Sequence, residues 1–254
     1  MDLKESPLEG ARRHPWERTR SRFFVDRIAE LLERGGRVLD LGAGDAFFAD
    51  ELARRCPRAE ISCCDLGYDA GTIARLARLY PNLHFAREAK AQRFDVAIAL
   101  DVAEHVEDDR AFVRGIVEDR LSDRGHLLFS VPAYAWLWSS HDVALRHHRR
   151  YAHRRARALL ESARLDVIEG GGLFGSLVAP RAIAVGLERA KRAIGADVSA
   201  TEASEGAIAW DHPRWMTSIV MGALALDARV SLAAARSDVE LPGLSYWALA
   251  RKRR

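Results

Sequence analysis

Short apolar runs alternate with amphipathic helical stretches over the first 163 residues, and this alternation limits the fold more than any other feature of the chain. Arg37 to Leu41 (RVLDL), Glu60 to Asp65 (EISCCD), Asn82 to Ala86, Phe94 to Leu100 (FDVAIAL) and Gly125 to Val131 (GHLLFSV) read as strands. Trp16 to Glu33, Ala46 to Cys56, Ala70 to Tyr80 and Asp108 to Arg120 carry apolar residues at helical spacing. Strands joined by helices of about ten residues build parallel βαβ units. Such a sheet has right-handed crossovers and binds its ligand at the carboxyl ends of the strands. The fold class expected is therefore α/β.

The second half changes pattern. A helix over Arg154 to Ala163 and a strand over Leu165 to Glu169 precede two long helical patterns, Leu173 to Ile194 and Trp215 to Ala235. A polar linker, Gly195 to Pro213, joins those two, and a last strand runs from Ser245 to Ala250. No composition break divides the chain. The expectation is one domain over 1–254, with a helical cap at 1–36 and a helical insertion at 172–240 over the substrate side. The apolar stripes of the insertion are expected to be packed. Pro180 and Arg181 interrupt the first apolar pattern, and Asp227 and Arg229 the second, so no membrane span is expected. A peripheral membrane contact or a homodimer face stays open for these helices.

Composition removes other classes. Of 254 residues, 48% are hydrophobic, which suits a packed core rather than a disordered chain. The net charge of +3 is small for a protein that grips duplex DNA, so no DNA partner is expected. Cys56, Cys63 and Cys64 form no C-x-x-C pair and fit neither a disulfide framework nor a zinc site. No metal is expected. The polar N-terminus lacks the apolar run of a secretory signal, so a cytoplasmic location is expected, with membrane contact at most peripheral.

The sharpest local motif is Val38-Leu39-Asp40-Leu41-Gly42-Ala43-Gly44-Asp45. Glycines after a buried strand let a ligand approach the backbone at the start of the next helix. Phe47 stands where a dinucleotide fingerprint needs its third glycine, which argues against NAD or FAD. No Gly-Lys-Ser/Thr follows, so the turn is not a Walker loop. Asp65 closes the second strand, where an acid can accept hydrogen bonds from ribose hydroxyls; it can also simply cap the next turn.

Taken together, LDLGAGDA, Asp65, FDVAIALDVAEHVEDD and GHLLFSVP resemble successive motifs of the class I S-adenosylmethionine-dependent methyltransferases. The resemblance covers about Trp16 to Ala163 and resumes in the last strand. It implies a Rossmann-like sheet of seven strands, mostly parallel with the last antiparallel, and S-adenosyl-L-methionine as cofactor. On this resemblance Gly42, Ala43 and Gly44 line the methionine part and Asp40 orders their loop. Asp65 holds the ribose, Leu66 flanks the adenine and Glu88 lies near its amino group. Asp101 and Val102 face the methionine and the methyl. Ala46 departs from the family by replacing a third glycine, and His105, after Glu104, is expected to order its loop.

Methyl transfer needs an aligned nucleophile and exclusion of water, with a base where the acceptor is a hydroxyl. The run from Pro132 to Tyr151, with W-S-x-x-D followed by H-x-R-R-Y, looks like a subgroup of these enzymes associated with small-molecule, lipid and envelope-glycan pathways. His147 and His141 are the candidate bases, because histidine titrates near neutrality; Tyr151 is a third candidate. The alternative for His147, Arg149 and Tyr151 is that they tie this loop to the sheet. Six arginines between Asp142 and Glu161, with no acid among them, could meet an anionic group. Trp16 and Arg20 could close the site from the N-terminal side.

The expected function is methyl transfer to a small organic or lipid-like acceptor, at oxygen, by in-line displacement. Two alternatives stand beside it: an RNA-modifying methyltransferase, and a cofactor-binding scaffold without turnover. The Asn-Pro-Pro-Tyr motif of base-amine methylation is absent, and Asp101-Val102-Ala103-Glu104 occupies its place.

Overall fold

A computed structural model describes residues 13–195 and 210–253. The first 12 residues, most of the expected linker and the last residue lie outside the described residues. Seven strands form one sheet in the order β3-β2-β1-β4-β5-β7-β6. They are β1 (Gly36–Leu41), β2 (Ala59–Cys64), β3 (Leu83–Ala86), β4 (Phe94–Leu100), β5 (Leu121–Pro132), β6 (Leu165–Leu173) and β7 (Ser245–Lys252). The first five are parallel to one another, and β7 runs antiparallel to both β5 and β6. The sheet class expected from the sequence is the one observed.

The helices are α1 (Pro15–Ile28), α2 (Phe47–Arg55), α3 (Ala70–Leu79), α4 (Asp109–Gly115), α5 (Ser140–Ala144), α6 (His153–Ser162), α7 (Val178–Ala193) and α8 (Arg214–Arg236). Strand periodicity sorts the core into two layers. Val96, Ile98 and Leu100 of β4 point to one side with Trp247 and Leu249 of β7, against Phe23, Phe24, Ile28 and Leu52. Ala97 and Ala99 point to the other with Tyr246 and Ala248, against Val113, Ala156 and Leu160. Phe23 meets Trp247 edge to face, their centroids 4.9 Å apart; this contact seats α1 on the sheet.

Several boundaries differ from expectation: α1 ends at Ile28 rather than Glu33, and β5 starts at Leu121 rather than Gly125. Helix Asp108–Arg120 divides into α4 and a wider turn over Ile116–Arg120. Strand β6 continues past Glu169 through Gly170-Gly171-Gly172. A Cβ on Gly172 would stand 2.4 Å from the Leu241 carbonyl oxygen, so only glycine lets the 241–243 segment pass this close. Helix α7 starts at Val178 rather than Leu173, with Pro180 in its first turn, where its missing N–H costs nothing.

Helix α8 packs against β6 and α1. Asp227 accepts from the backbone N–H groups of Gly175 (3.2 Å) and Ser176 (2.8 Å), which fixes the turn before α7. Leu224, Ala228, Ser231 and Ala235 are buried, whereas Trp215, Ile219, Leu226 and Val230 are exposed. Full packing of this stripe, expected from its apolar content, is therefore not found. By length and composition α8 alone among the described helices could cross a bilayer.

Candidate active site

Two neighbouring cavities open at the carboxyl ends of the strands. The larger, of about 1160 Å³, lies over β1, β2 and β4, with Gly42, Asp65, Leu66, Glu88, Asp101 and Val102 in its wall. Of the glycine turn, Gly42 borders this cavity, whereas Ala43 lines a narrower neighbouring pocket and Gly44 lines neither. Gly42 and Gly44 take φ of 67° and 56°, and the Gly42 N–H donates to the Cys64 carbonyl at 2.8 Å. A Cβ on Gly42 would stand 2.7 Å from Val102 Cγ2. Ala46, at the start of α2, also has a positive φ, 64°. The missing third glycine thus has a definite cost, about 1–2 kcal/mol of left-handed strain.

Asp65 takes the capping role the sequence allowed. Its carboxylate accepts from the Gly67 N–H at 2.8 Å, as a turn cap, and from the Gly44 N–H at 3.1 Å, joining β2 to the glycine turn. It still borders the cavity, where Leu66 is 71% exposed and open to a flat ligand. Asp40 lies beneath, only 4% exposed. Burial, reinforced by the charge of Asp65, pushes its carboxyl up to about 7. A narrow pocket joins Asp40, Gly42 and Ala43 to Glu17 and Arg20 of α1. Burial raises Glu17 as well, to about 6.

The second cavity, of about 320 Å³, is walled by Leu244 and Ser245 at the start of β7 and by residues from four other segments. His14, Trp16, Glu17 and Arg20 come from the N-terminal side, and Asp101, Glu104 and His105 from the turn after β4. His141, His147 and Arg150 come from the loop after β5, and Leu177 and Arg181 from the start of the α7 segment. Asp101 and His105 line both cavities, so the two meet there.

His147 is oriented by Asp142, with Nδ1 2.9 Å from Oδ1. Arg150 Nε donates to the same carboxylate at 2.7 Å, and the Ser139 N–H donates to its other oxygen at 3.0 Å. Burial alone would raise Asp142; the His147 bond and the Arg150 charge outweigh it and hold the acid well below the usual range. Burial, then Arg181, pushes His141 down to about 4, so it is neutral at pH 7. Arg181 Nη2 donates to Ser139 Oγ at 2.6 Å.

Tyr151 requires a correction. It is fully buried and lines neither cavity. Its hydroxyl donates to Asp109 Oδ2 at 2.9 Å and lies 3.2 Å from the Ala103 carbonyl oxygen. It ties the loop after β5 to the turn after β4. The arginine cluster is also largely spoken for: Arg149 and Arg155 pair with Asp109, Arg150 with Asp142, and Arg157 approaches Glu161.

Comparison with known proteins agrees with this geometry. A sequence pattern described as a methyltransferase domain matches residues 12–191. The chain belongs to the class I S-adenosylmethionine-dependent methyltransferases. It is 30% identical over 128 residues to a ubiquinone biosynthesis O-methyltransferase of Serratia proteamaculans (strain 568), covering 44% of this chain and 52% of that one. A Yersinia pestis (strain Pestoides F) protein of the same name matches at 30% over 118 residues, covering 41% and 48%. The methyltransferase thus spans about half the length of the curated relatives it matches. Among solved structures it shares its fold with coclaurine N-methyltransferase bound to N-methylheliamine and SAH. There the TM-score is 0.55 at 13% identity, over 91% of this chain and 70% of the other.

The residues of the methyltransferase fit its cofactor. Gly42, where a Cβ would collide with Val102 of the same wall, and the Asp65 carboxylate border a cavity wide enough for a nucleoside, as such a molecule needs. Sequence reading did not assign Glu17, Glu104 or Arg181 to the site. Only Glu104 left a signal, a second acid three residues after Asp101 at the end of β4.

Proposed function

We propose that this methyltransferase methylates a hydroxyl oxygen of a small, largely apolar acceptor that carries an anionic end. The observation that carries the reading is the Asp142–His147 pair, 2.9 Å apart, on the wall of a cavity adjoining the cofactor cavity. The O-methyltransferase names of the curated relatives support oxygen as the acceptor atom.

S-adenosylmethionine, when bound, supplies a methyl already activated by the sulfonium charge. Gly42, Ala43 and Gly44 give it a close backbone surface, and Asp65 accepts from its sugar hydroxyls. Leu66 and Glu88 flank the base; Asp40, Asp101 and Val102 face the amino-acid end. On the acceptor side, Trp16, Leu177 and Leu145 form an apolar wall and exclude water. Arg181, and with it Arg150, faces an anionic group. His147, held in one orientation by Asp142, assists loss of the hydroxyl proton. His141, neutral and weakly basic, accepts a hydrogen bond rather than a proton. The exposed Trp215, Ile219, Leu226 and Val230 on α8 support a peripheral contact with lipid, through which a lipid-like acceptor would arrive.

Calorimetric titration with S-adenosylmethionine tests the first half. Binding is expected, and Asp65→Ala should weaken it by about 1.5–3 kcal/mol, the scale of lost charge-assisted hydrogen bonds. Folded wild-type protein that takes up no cofactor refutes the reading. Mass spectrometry on a panel of phenolic, aliphatic and amine acceptors tests the second half: methylated amines with no methylated hydroxyl exclude oxygen. His147→Ala should lower turnover by about 10²–10⁴-fold.

A further inference from the structure

We infer that Arg181, with Arg150 behind it, forms a subsite for a single carboxylate of the acceptor and matches a monoanion rather than a phosphate dianion. The inference rests on the reading of a hydroxyl acceptor with an anionic end and names the class of that end.

Elsewhere on the wall of the acceptor cavity the charges are balanced. Arg20 pairs with Asp101 at 2.6 Å, and Glu17 with Arg13 at 2.8 Å. Glu104 is fully buried; burial and the nearby Asp101 charge push its carboxyl well up, which favours the uncharged form.

One end of the cavity differs. There two guanidinium groups share one carboxylate: Arg150 Nε donates to Asp142 Oδ1 at 2.7 Å, and Arg181 Nη2 stands 3.8 Å from Oδ2. Glu188, the other acid near Arg181, accepts from the Ser140 N–H at 2.9 Å and pairs with Arg192 at 2.8 Å. Two cations against one anion leave a surplus of one positive charge.

The surplus lies on Arg181. Arg150 already has Nε on Asp142 and Nη1 on the Ala133 carbonyl at 3.1 Å. Arg181 uses Nη2 alone, on Ser139 Oγ at 2.6 Å; its Nε and Nη1 donate to none of the described residues. Its side chain is 25% exposed and lines the cavity. Burial and the Arg150 charge push its guanidinium below the usual arginine range, the direction expected of a desolvated cation next to a like charge.

The free donors select the ligand's shape. Nη2 carries two hydrogens, so its bond to Ser139 leaves one edge of the fork open. That edge fits the two coplanar oxygens of a carboxylate. A monoanion balances the count. A dianion would leave a negative charge among Trp16, Leu177 and Leu244 without a partner, which is costly. Ser139 also ties the subsite to the base: its Oγ lies 3.3 Å from Asp142 Oδ2, and Asp142 Oδ1 orients His147. The two ends of the acceptor therefore meet side chains held by one acid.

Calorimetry on the full chain saturated with S-adenosylhomocysteine reads the subsite without turnover. The probes are a hydroxynaphthoate, its methyl ester, and the phosphonate of the same ring as a dianion. The carboxylate is expected to bind at least about tenfold more tightly than either, the scale of one hydrogen bond to a charged group. Arg181→Met should abolish that preference. Arg181→Lys, which keeps the charge and loses the fork, should restore only part of it. Arg181 does not line the cofactor cavity, so unchanged S-adenosylhomocysteine affinity reports that both variants are folded.

No binding of the carboxylate, equal binding of the ester, tighter binding of the phosphonate, or a preference that survives Arg181→Met overturns the subsite. Full recovery in Arg181→Lys would reveal a point charge and overturn the carboxylate assignment. O-methylation of ester and acid with equal kcat/KM, unchanged in Arg181→Met, also overturns it and leaves methyl transfer to oxygen standing. A carboxylate preference lost in Arg181→Met, in an enzyme that methylates only amines, upholds the subsite and refutes the oxygen reading.

Discussion

Arg20 and Asp101 form an ion pair 2.6 Å long that joins helix α1 to the end of strand β4. Arg20 also reaches Ser130 Oγ at 2.7 Å, and that hydroxyl donates to Asp101 Oδ1 at 2.9 Å. Burial works against the Asp101 charge, but Arg20 and Ser130 together keep its carboxyl below the usual range. Arg20 lies near the rings of Trp16 and Phe24 as well, 5.3 Å and 5.1 Å from their centroids. One side chain therefore closes the N-terminal helix over the smaller cavity and fastens it to Asp101, which borders both.

Replacing Arg20 by Ala strands Asp101, and removing one member of a buried pair costs about 3–5 kcal/mol. Asp101 retains 26% side-chain exposure, so the lower end of that range applies. Urea unfolding at pH 7 measures it. Arg20→Met keeps the packing on Trp16 and Phe24 and isolates the charge effect. A loss below about 1 kcal/mol in Arg20→Ala would mean that solvent screens the pair.

Gly42→Ala places a methyl 2.7 Å from Val102 Cγ2 at a φ of 67°. Left-handed strain costs about 1–2 kcal/mol, and the overlap adds about 1–3 kcal/mol. Adding Val102→Ala removes the overlap and leaves the strain. A double-mutant cycle on thermal stability should therefore show favourable coupling between the two changes. Additive effects would mean that Val102 does not press on the turn.

Asp40 gives the unliganded chain a characteristic pH dependence. Unfolded, it ionises near pH 4, at about 3.9; folded, at about 7, because burial disfavours the charge. Between these values the native state holds the extra proton, so its contribution to stability falls as pH rises and levels off above 7. Asp40→Asn does not titrate. Its stability relative to wild type should climb from about pH 4 to about pH 7 and then stay flat. A difference independent of pH would show that the carboxyl is not perturbed.

The glycine turn and the first strands were legible because each depends on short-range pattern, whereas the mixed seven-stranded sheet followed only from the resemblance of the motifs taken together. Strand period, helix period and a glycine pair fix β1, the turn and α2 without reference to the rest of the chain. Glu104 and Arg181 were not legible as site residues. They meet His147 only after the turn beyond β4, the loop beyond β5 and the α7 segment have been brought together. The reach of β6 was hidden for a related reason. Gly170 to Gly172 weaken a strand read alone, yet here Gly172 admits the close approach of the 241–243 segment and Gly170 that of the Trp247 carbonyl. Tyr151 misled because a sequence shows a residue's type but not the direction of its side chain.

Tyr151→Phe separates the two roles once open to this residue. The hydroxyl bonds Asp109, which also holds Arg149 at 2.9 Å and Arg155 at 3.3 Å, so the acid keeps two partners when the hydroxyl is lost. The bond bridges two loops rather than reaching into a cavity. Its loss should cost about 1–2 kcal/mol of stability, the scale of one buried hydrogen bond to a charged group. The ring stays packed against its neighbours, so the loops should hold their positions. Methyl transfer by Tyr151→Phe should keep the wild-type pH profile and lose less than about threefold in kcat/KM, well under 1.4 kcal/mol of barrier. A drop of about 10²-fold or more, with the stability unchanged, would return Tyr151 to the catalytic group.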